Sequence, residues 1–549
     1  MTAEDIEKAS AVAPALVNDS DSQDDKIHEF KEAVGYEVDV ASAEGNDTIK
    51  LANDGRTRLI PQPSEDPADP LNWSQRKKNL ILFIVAFAAL LPDYGSATGA
   101  VTLIPQAEEW NMSQDEVNHS QAGNVFMLGA GGIFGNSHPL TVTQTRRVDI
   151  ETSVRLLTTL CSPVVAFSAY FGRLPVLFYF LIVALVTAAW CAGATNFESF
   201  ETARILNGFF STVAQVNGLI VIQDVFFFHE RARKINIWAS FFILSPYLGP
   251  LLAAFQITTK PWPTPFWVYT AETALAVVLT VLFVEETYYD RRIVQSEQPD
   301  RGTRVTSLLG IAQWKSRGRR NTFFQACLRP LRAISKPTVL ISCFYYFLTF
   351  AWVVGINTTL SIFLQPVYGF GPKQIGFFYF TPIVAVIIGE VVGHWLHDLF
   401  AKHYIRTHKG RFEPEARLRA IMVALPFTIV GLVVLGQSLE NRWHFMVTSV
   451  SWGLYVFSTM ITTVAISSYN LDSYPEASGE VSAWVNASRT LGGFIVSYFQ
   501  VTWANAQGTK ASFGIQAAVC VVAFALVVLL MLKGKAMRIW AGPLRFATA

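Results

Sequence analysis

The sequence predicts an all-α polytopic membrane protein, with about twelve transmembrane helices in two bundles of six. Three observations predict it. Of 549 residues, 51% are hydrophobic and only 15% charged, with a mean hydropathy of +0.32, too apolar for a soluble chain of this size. Apolar runs of about 20 residues, each long enough to cross a bilayer, recur along the chain. A polar stretch, 285–337, divides them six from six.

Residues 1–72 are acidic and poor in apolar periodicity, which predicts a disordered cytosolic tail. No basic segment leads into an apolar core there, so no cleavable signal peptide is expected. The first bundle, 73–284, carries runs at 79–101, 174–194, 203–226, 236–256 and 265–284, with an interrupted span between the first two. The second bundle, 338–533, carries 338–360, 374–393, 418–437, 444–467, 481–503 and 513–532, and residues 534–549 form a second tail. The five cysteines form no CxxC pair and mostly sit in apolar runs, as small core hydrophobes.

Basic residues set the expected orientation. They cluster before span one (Arg76, Lys77, Lys78), after span four (Arg231, Arg233, Lys234), through 285–337, and after span eight (Lys402, Arg406, Lys409, Arg411, Arg417, Arg419). The alternate loops are nearly empty of them, so both termini and the central loop are expected in the cytosol. Segment 468–480 dissents, with Asp472, Glu476 and Glu480 and no base. On the opposite side, 105–120 holds sequons at Asn111 and Asn118, the two candidate glycosylation sites.

The interrupted span is anomalous. Residues 135–164 insert arginines and acids, in "TRRVDIE", between two pieces of membrane-helix text, "FMLGAGGIF" and "AFSAYFGR". Two full crossings here would make the span count odd and reverse every later loop. One span is therefore expected, and the insertion reads as a retained in-frame intron or gene-model error rather than a genuine insertion.

Ionisable residues inside spans are costly and so are functional candidates. Asp93 in span one, Glu272 in span six and Glu390 in span eight are the candidate proton-coupling carboxyls. Arg204, opening span four, and Arg489, in span eleven, are expected to orient helices or to meet a carboxylate or an anionic substrate group. An internal ion pair of purely structural role is the alternative for each. Span five, "NIWASFFILSPYLGPLLAAF", lines small residues along one face and carries Pro246 and Pro250. That combination predicts a bent helix in close contact with a neighbour, suited to two halves that rock about a seam.

These residues carry a resemblance. "SPYLGPLLAA", with Gly249-Pro250, resembles the fifth-helix antiporter motif of the major facilitator superfamily, Ser245 and Ala253-Ala254 standing at glycine positions. "ARILNGFFSTVAQ" is similar to its fourth-helix motif through Arg204 and Gly208, and "LLPDYGSATGAVTLIPQ" to its first-helix motif through Asp93. "YFGRLPVLF" keeps only Gly172-Arg173 of the helix 2–3 loop motif; Ala169 and Tyr170 stand where that motif has Asp and Arg. "DPLNW", "FVEETYYDRR", "GRFEPEARL" and "NLDSYPEASGEVSAWVNASRTLGGFIVSYFQ" look like fungal members related to the drug:proton antiporters, so the resemblance covers about 66–533.

The resemblance implies the major facilitator fold and proton-coupled movement of a small organic molecule by alternating access, often efflux of a toxin, drug or secondary metabolite. The cavity would lie between the halves, with Gln215, Asn217, Tyr247, Asn357, Tyr455 and Arg489 as candidate wall residues. The expected partners are substrate, protons and the bilayer of the plasma membrane, for a monomer without cofactor. Uptake of a cation or polyamine is the alternative, which Asp93 and Glu272 keep open. A non-transporting receptor is another. A membrane metalloprotein is a third, through His394, His397 and Asp398 at i, i+3 and i+4. No nucleophile elbow, phosphate loop or HExxH argues for an enzyme, and the net charge of +1 argues against a nucleic-acid partner.

Overall fold

The computed structural model describes residues 36–37, 50–52, 57–133, 163–289, 291, 298, 302–315 and 323–544. The first half comprises α1 (Gln75–Trp110), α2 (Gln114–Ile133), α3 (Pro163–Phe171), α4 (Arg173–Ala192), α5 (Phe197–Ser211), α6 (Val213–Val225), α7 (Phe228–Gln256) and α8 (Thr264–Phe283). Three short helices follow in the connecting segment: α9 (Arg304–Leu308), α10 (Ile311–Lys315) and α11 (Phe323–Ile334). The second half comprises α12 (Pro337–Tyr368), α13 (Pro372–Phe378), α14 (Phe380–Thr407), α15 (Arg419–Glu440), α16 (Phe445–Ser473), α17 (Ser478–Gln507) and α18 (Thr509–Ala541).

Among the described residues, ten helical segments are long and apolar enough to cross a membrane, α5 with α6 and α13 with α14 each acting as one. The sequence places two more spans, one in the region of α2 and α3 and one at α17, and neither is among the ten. Helix α17 falls outside the ten because its first half, "SGEVSAWVNASRT", is polar, and that polar half is buried in protein rather than turned to lipid. Burial separates central from peripheral helices. The apolar window of α1 is 83% buried, against 28% in α8 and 33% in α18, whose Leu282, Val522 and Leu532 form outward apolar surface fit for lipid. At the end opposite the basic loops, Trp110 packs on Phe197, Phe200 and Trp262, an aromatic cluster of the kind found at membrane interfaces.

Both halves contain a tight helix pair built on glycine at corresponding positions. In the first, a Cβ at Gly249 of α7 would stand 2.5 Å from the Tyr94 carbonyl oxygen of α1, so only glycine permits this approach. In the second, Gly492 and Gly493 of α17 lie against Phe347, Ala351 and Val354 of α12. Span five thus packs on span one as span eleven packs on span seven, the correspondence expected of a repeated six-helix unit.

Several boundaries differ from the sequence reading. Helix α14 runs on to Thr407, so Lys402 and Arg406 are helical rather than in a loop; the apolar run stops where the bilayer would, but the helix does not. Arg204 lies in the middle of α5, not at its start. Residues 57–72, expected within a disordered tail, are packed. Asp69 is fully buried, caps the turn at Pro70–Asn72 and pairs with Arg291 at 2.8 Å, while the Ile60 carbonyl accepts from the Phe228 N–H at 2.8 Å. Upstream, Tyr36–Glu37 (β1) pairs antiparallel with Arg411–Phe412 (β2) of the second half. These contacts supply burial and charge partners that no local apolar period signals. Of the anomalous insertion, 135–162 lies outside the described residues; Pro163 and the buried Val164 open α3.

Candidate functional site

Buried polar contacts between the halves join Asp93, midway along α1, to Arg489 on α17. The Arg489 Nη2 lies 2.8 Å from the Asp93 Oδ2, and Nη1 donates to Oδ1 at 3.2 Å. Gln215 on α6 completes a triangle, donating from Nε2 to Asp93 Oδ2 at 2.8 Å and accepting from Arg489 Nη2 at 2.8 Å. Asn486, one turn before Arg489 on the same face, accepts from Nε and Nη2 at 3.1 and 2.9 Å. Asn486 also donates to the Thr212 hydroxyl at 3.0 Å and the Leu128 carbonyl at 3.2 Å. The guanidinium lies over Phe242 at 4.8 Å and Phe350 at 5.5 Å, rings from opposite halves. All four polar side chains are buried, so the charges are matched inside the protein rather than by water.

This network unites three predicted residues, Asp93, Gln215 and Arg489, and separates them from the others. Glu272 on α8 is only half-buried; the Tyr94 hydroxyl reaches it, and Oε2 has no partner, so it adjoins the network through the neighbour of Asp93. Glu390 on α14 accepts from Asn236 Nδ2 at 2.5 Å, on a second seam between the halves, α7 against α14. Arg204 stays within the first half: its Nη2 donates to the Ser96 carbonyl at 2.7 Å, and its guanidinium lies over Phe200 and Phe266. Gly208 supports the same region, since a Cβ there would meet the Asn124 carbonyl oxygen at 2.6 Å.

Among the wall candidates, Tyr247 of α7 meets Trp452 of α16 edge to face, at 5.5 Å between the halves. Asn357 bonds through its carbonyl to the Tyr379 hydroxyl at 3.2 Å. Tyr455 donates to the Thr349 carbonyl at 2.9 Å, within the second half. Asn217 accepts from Ser168 at 3.0 Å, within the first half. A cavity of about 310 Å³, almost entirely apolar in its lining, lies between α2, α12 and α17 and is bordered by Phe126, Cys343, Phe347 and Ala487. Sequence reasoning missed Asn486 and Trp452 as site residues; the spacing of Asn486 three before Arg489 was the available signal for the first.

At the basic face, ion pairs bind the halves to each other. Arg231 of α7 lies 3.7 Å from Asp472 of α16, which also accepts from Arg417 Nε at 3.0 Å. Arg233 Nε donates to Asp398 at 2.7 Å, and Arg329 pairs with Glu480 at 2.5 Å. Asp472 and Glu480 of the dissenting segment 468–480 are thus matched by arginines from elsewhere, while the Glu476 carboxylate accepts from the Leu544 N–H at 3.0 Å. Gly172, at φ +101°, leaves room for Glu286, whose carboxylate accepts from the Arg173 and Leu174 N–H groups at 3.0 and 3.3 Å and caps α4. Arg173 itself faces Asp224 at 3.4 Å. In the metal alternative, Asp398 is engaged by Arg233 and the His394 ring lies against Trp395. No group of three metal-ligating side chains converges among the described residues.

Two six-helix halves meeting on a buried polar network define a membrane transporter of the two-bundle kind. Known proteins agree. The family model described as Major Facilitator Superfamily matches residues 152–497. MFS-type transporter hepF of Aspergillus oryzae is 23% identical, the alignment covering 79% of this chain and 84% of that one. Efflux pump radE of Floropilus chiversii is 21% identical, over 86% and 83%. The solved structure of the proton:xylose symporter XylE bound to 6-bromo-6-deoxy-D-glucose superposes with a TM-score of 0.56 at 15% identity, over 83% of this chain and 96% of that one, a likeness of fold. This chain belongs to the Major Facilitator Superfamily and is one of its multi-pass membrane transporters.

Proposed function

We propose that the protein is a proton-coupled exporter of a small organic molecule, acting by alternating access as a monomer in the plasma membrane with both termini cytosolic. The observation that carries this reading is the Asp93–Arg489 pair, a buried charge pair with one partner in each half. Protonation of Asp93 would cancel the attraction holding α1 to α17 and leave Gln215 and Asn486 as neutral partners of the guanidinium. A proton arriving at that carboxyl thereby favours the separated arrangement, the differential interaction that coupling requires. Glu272, linked through Tyr94, and Glu390, on the second seam, are the further carboxyls on which a proton could be held. The outward direction is supported by relatives named efflux pumps, radE and FUB11 of Gibberella moniliformis. The orientation is supported by the basic loops sharing one face.

The test is flux in proteoliposomes of the full chain under an imposed pH gradient. Substrate movement should follow the gradient in the wild type and lose that dependence in Asp93→Asn. If both Asp93→Asn and Glu272→Gln transport normally with an unchanged pH response, the coupling assignment is wrong.

A further inference from the structure

Segment 57–72 lies on the basic face and touches both halves, in different ways. Charge and hydrogen bonds tie it to the first half. Asp69 accepts from the Arg291 guanidinium at 2.8 and 3.2 Å, and Asp66 accepts from the Tyr289 hydroxyl at 3.1 Å. Arg291 in turn donates to the Asp224 carbonyl, at the end of α6, at 3.2 Å. The Ile60 carbonyl accepts from the Phe228 N–H at 2.8 Å, and that N–H opens α7, where it has no partner within its own helix.

Toward the second half the contact is apolar. The Ile60 side chain packs on a cluster of Phe228 with Tyr404, Phe412 and Ala416, the last three from the second half. Phe228 and Phe412 meet edge to face across the seam at 5.0 Å, and the Arg417 guanidinium lies over both rings, at 5.6 and 4.9 Å. Arg417 also donates to Asp472, the acid that Arg231 approaches from the first half. Ile60 therefore sits where the ion pairs of the basic face close the seam. The pairing of β1 with β2 adds a second contact with the second half. When the halves part on this face, Phe228 and Phe412 separate, and Ile60 cannot remain on both. The weaker hold gives way: one partly buried isoleucine and a two-residue strand pair, against a charge-assisted pair backed by further hydrogen bonds.

We infer that residues 57–72, with β1, form a latch on the basic face. Residues 64–72 stay anchored on the first half, and Ile60 and β1 engage the second half only while that face is closed. Docking then favours the closed arrangement, because the latch has contacts there that the parted arrangement lacks. The inference rests on the alternating-access reading above, in that it requires the halves to part.

The test reads distance and hydrogen exchange in the full chain in nanodiscs, with no substrate needed. Nitroxide-bearing residues at positions 76 and 402, where Arg76 of α1 and Lys402 of α14 are exposed, report parting of the basic face. Ile60→Ala should raise the ratio of parted to closed molecules about 5- to 10-fold, the worth of half-burying the three carbons removed. Asp93→Asn and the milder Arg233→Gln each remove an ion pair between the halves and leave Ile60 in place. In whichever of them parts the labels, exchange should quicken in residues 57–63 and stay unchanged in 64–72. Exchange that rises in both stretches together, or in neither while the labels part, overturns the latch. So does an Ile60→Ala distance distribution that matches the wild type while Asp93→Asn or Arg233→Gln widens it. Widening by Ile60→Ala and Arg233→Gln but not by Asp93→Asn leaves the latch standing and sinks the coupling reading instead. Distances that none of the three variants moves sink the latch and the alternating-access reading together.

Discussion

Replacing Asp93 by asparagine leaves the Arg489 guanidinium buried among Gln215, Asn486 and two aromatic rings, with no carboxylate opposite it. The two groups are 2.8 Å apart at their nearest atoms. With charge centres about 4 Å apart and an effective dielectric near 20, the attraction is about 4 kcal/mol. Deleting one member of a buried pair costs about 3–5 kcal/mol, most of it the stranded partner. Arg489→Gln should cost a similar amount for the same reason. The double variant strands no charge, so its cost should fall about 3 kcal/mol or more below the sum of the singles. Equilibrium unfolding of the full chain in mixed micelles measures this cycle, and spin-label distances across the basic face report whether the halves part in the single variants. Additivity within about 0.5 kcal/mol would refute an interaction between these side chains.

Four further outcomes are expected. Burial alone would raise the Asp69 carboxyl, but the Arg291 hydrogen bond and charge, with the Leu71 and Ser64 N–H groups, hold it below its ordinary 3.8. A lowered carboxyl contributes its full stability above the unfolded value and loses it as pH falls through the folded one. Hydrogen exchange of residues 64–73, corrected for intrinsic rate, should therefore be flat from about pH 5 to 8 and rise below about pH 4. Asp69→Asn should raise it about 10-fold or more at pH 7, the loss of a charge-assisted bond, and no change would contradict the packing described. Gly249→Ala drives a methyl into the Tyr94 carbonyl and should lose about 1–3 kcal/mol, whereas Gly514→Ala, with nothing within 4 Å, should be neutral in the same unfolding assay. Asn111 is exposed at the left-handed end of α1 and Asn118 is held in α2, so a glycosidase-sensitive mobility shift should vanish in Asn111→Gln and persist in Asn118→Gln. Transcript sequencing across codons 134–165 should show a mature message without the insertion; a message that keeps it makes the insertion genuine.

The sequence by itself marked ten segments that the structure also shows as helices long and apolar enough to cross a membrane, because a helix in lipid needs an uninterrupted apolar run whatever its neighbours do. It also determined which face carries the basic loops and which intramembrane charges needed an explanation. Gly249-Pro250 was legible for the same local reason: small residues and proline state their own backbone consequences. Only the tertiary structure decided which charges meet. Asp93 and Arg489 stand 396 positions apart, and no spacing or periodicity links them until α1 and α17 pack together. The same holds for Asp472 with Arg231 and Arg417, and for Tyr247 with Trp452. Helix α14 outruns its apolar segment, and residues 57–72 are ordered by Arg291 and Phe228 rather than by any pattern of their own. Hydropathy is a property of a segment read alone; pairing and burial are properties of two segments brought together, and the fold supplies the second.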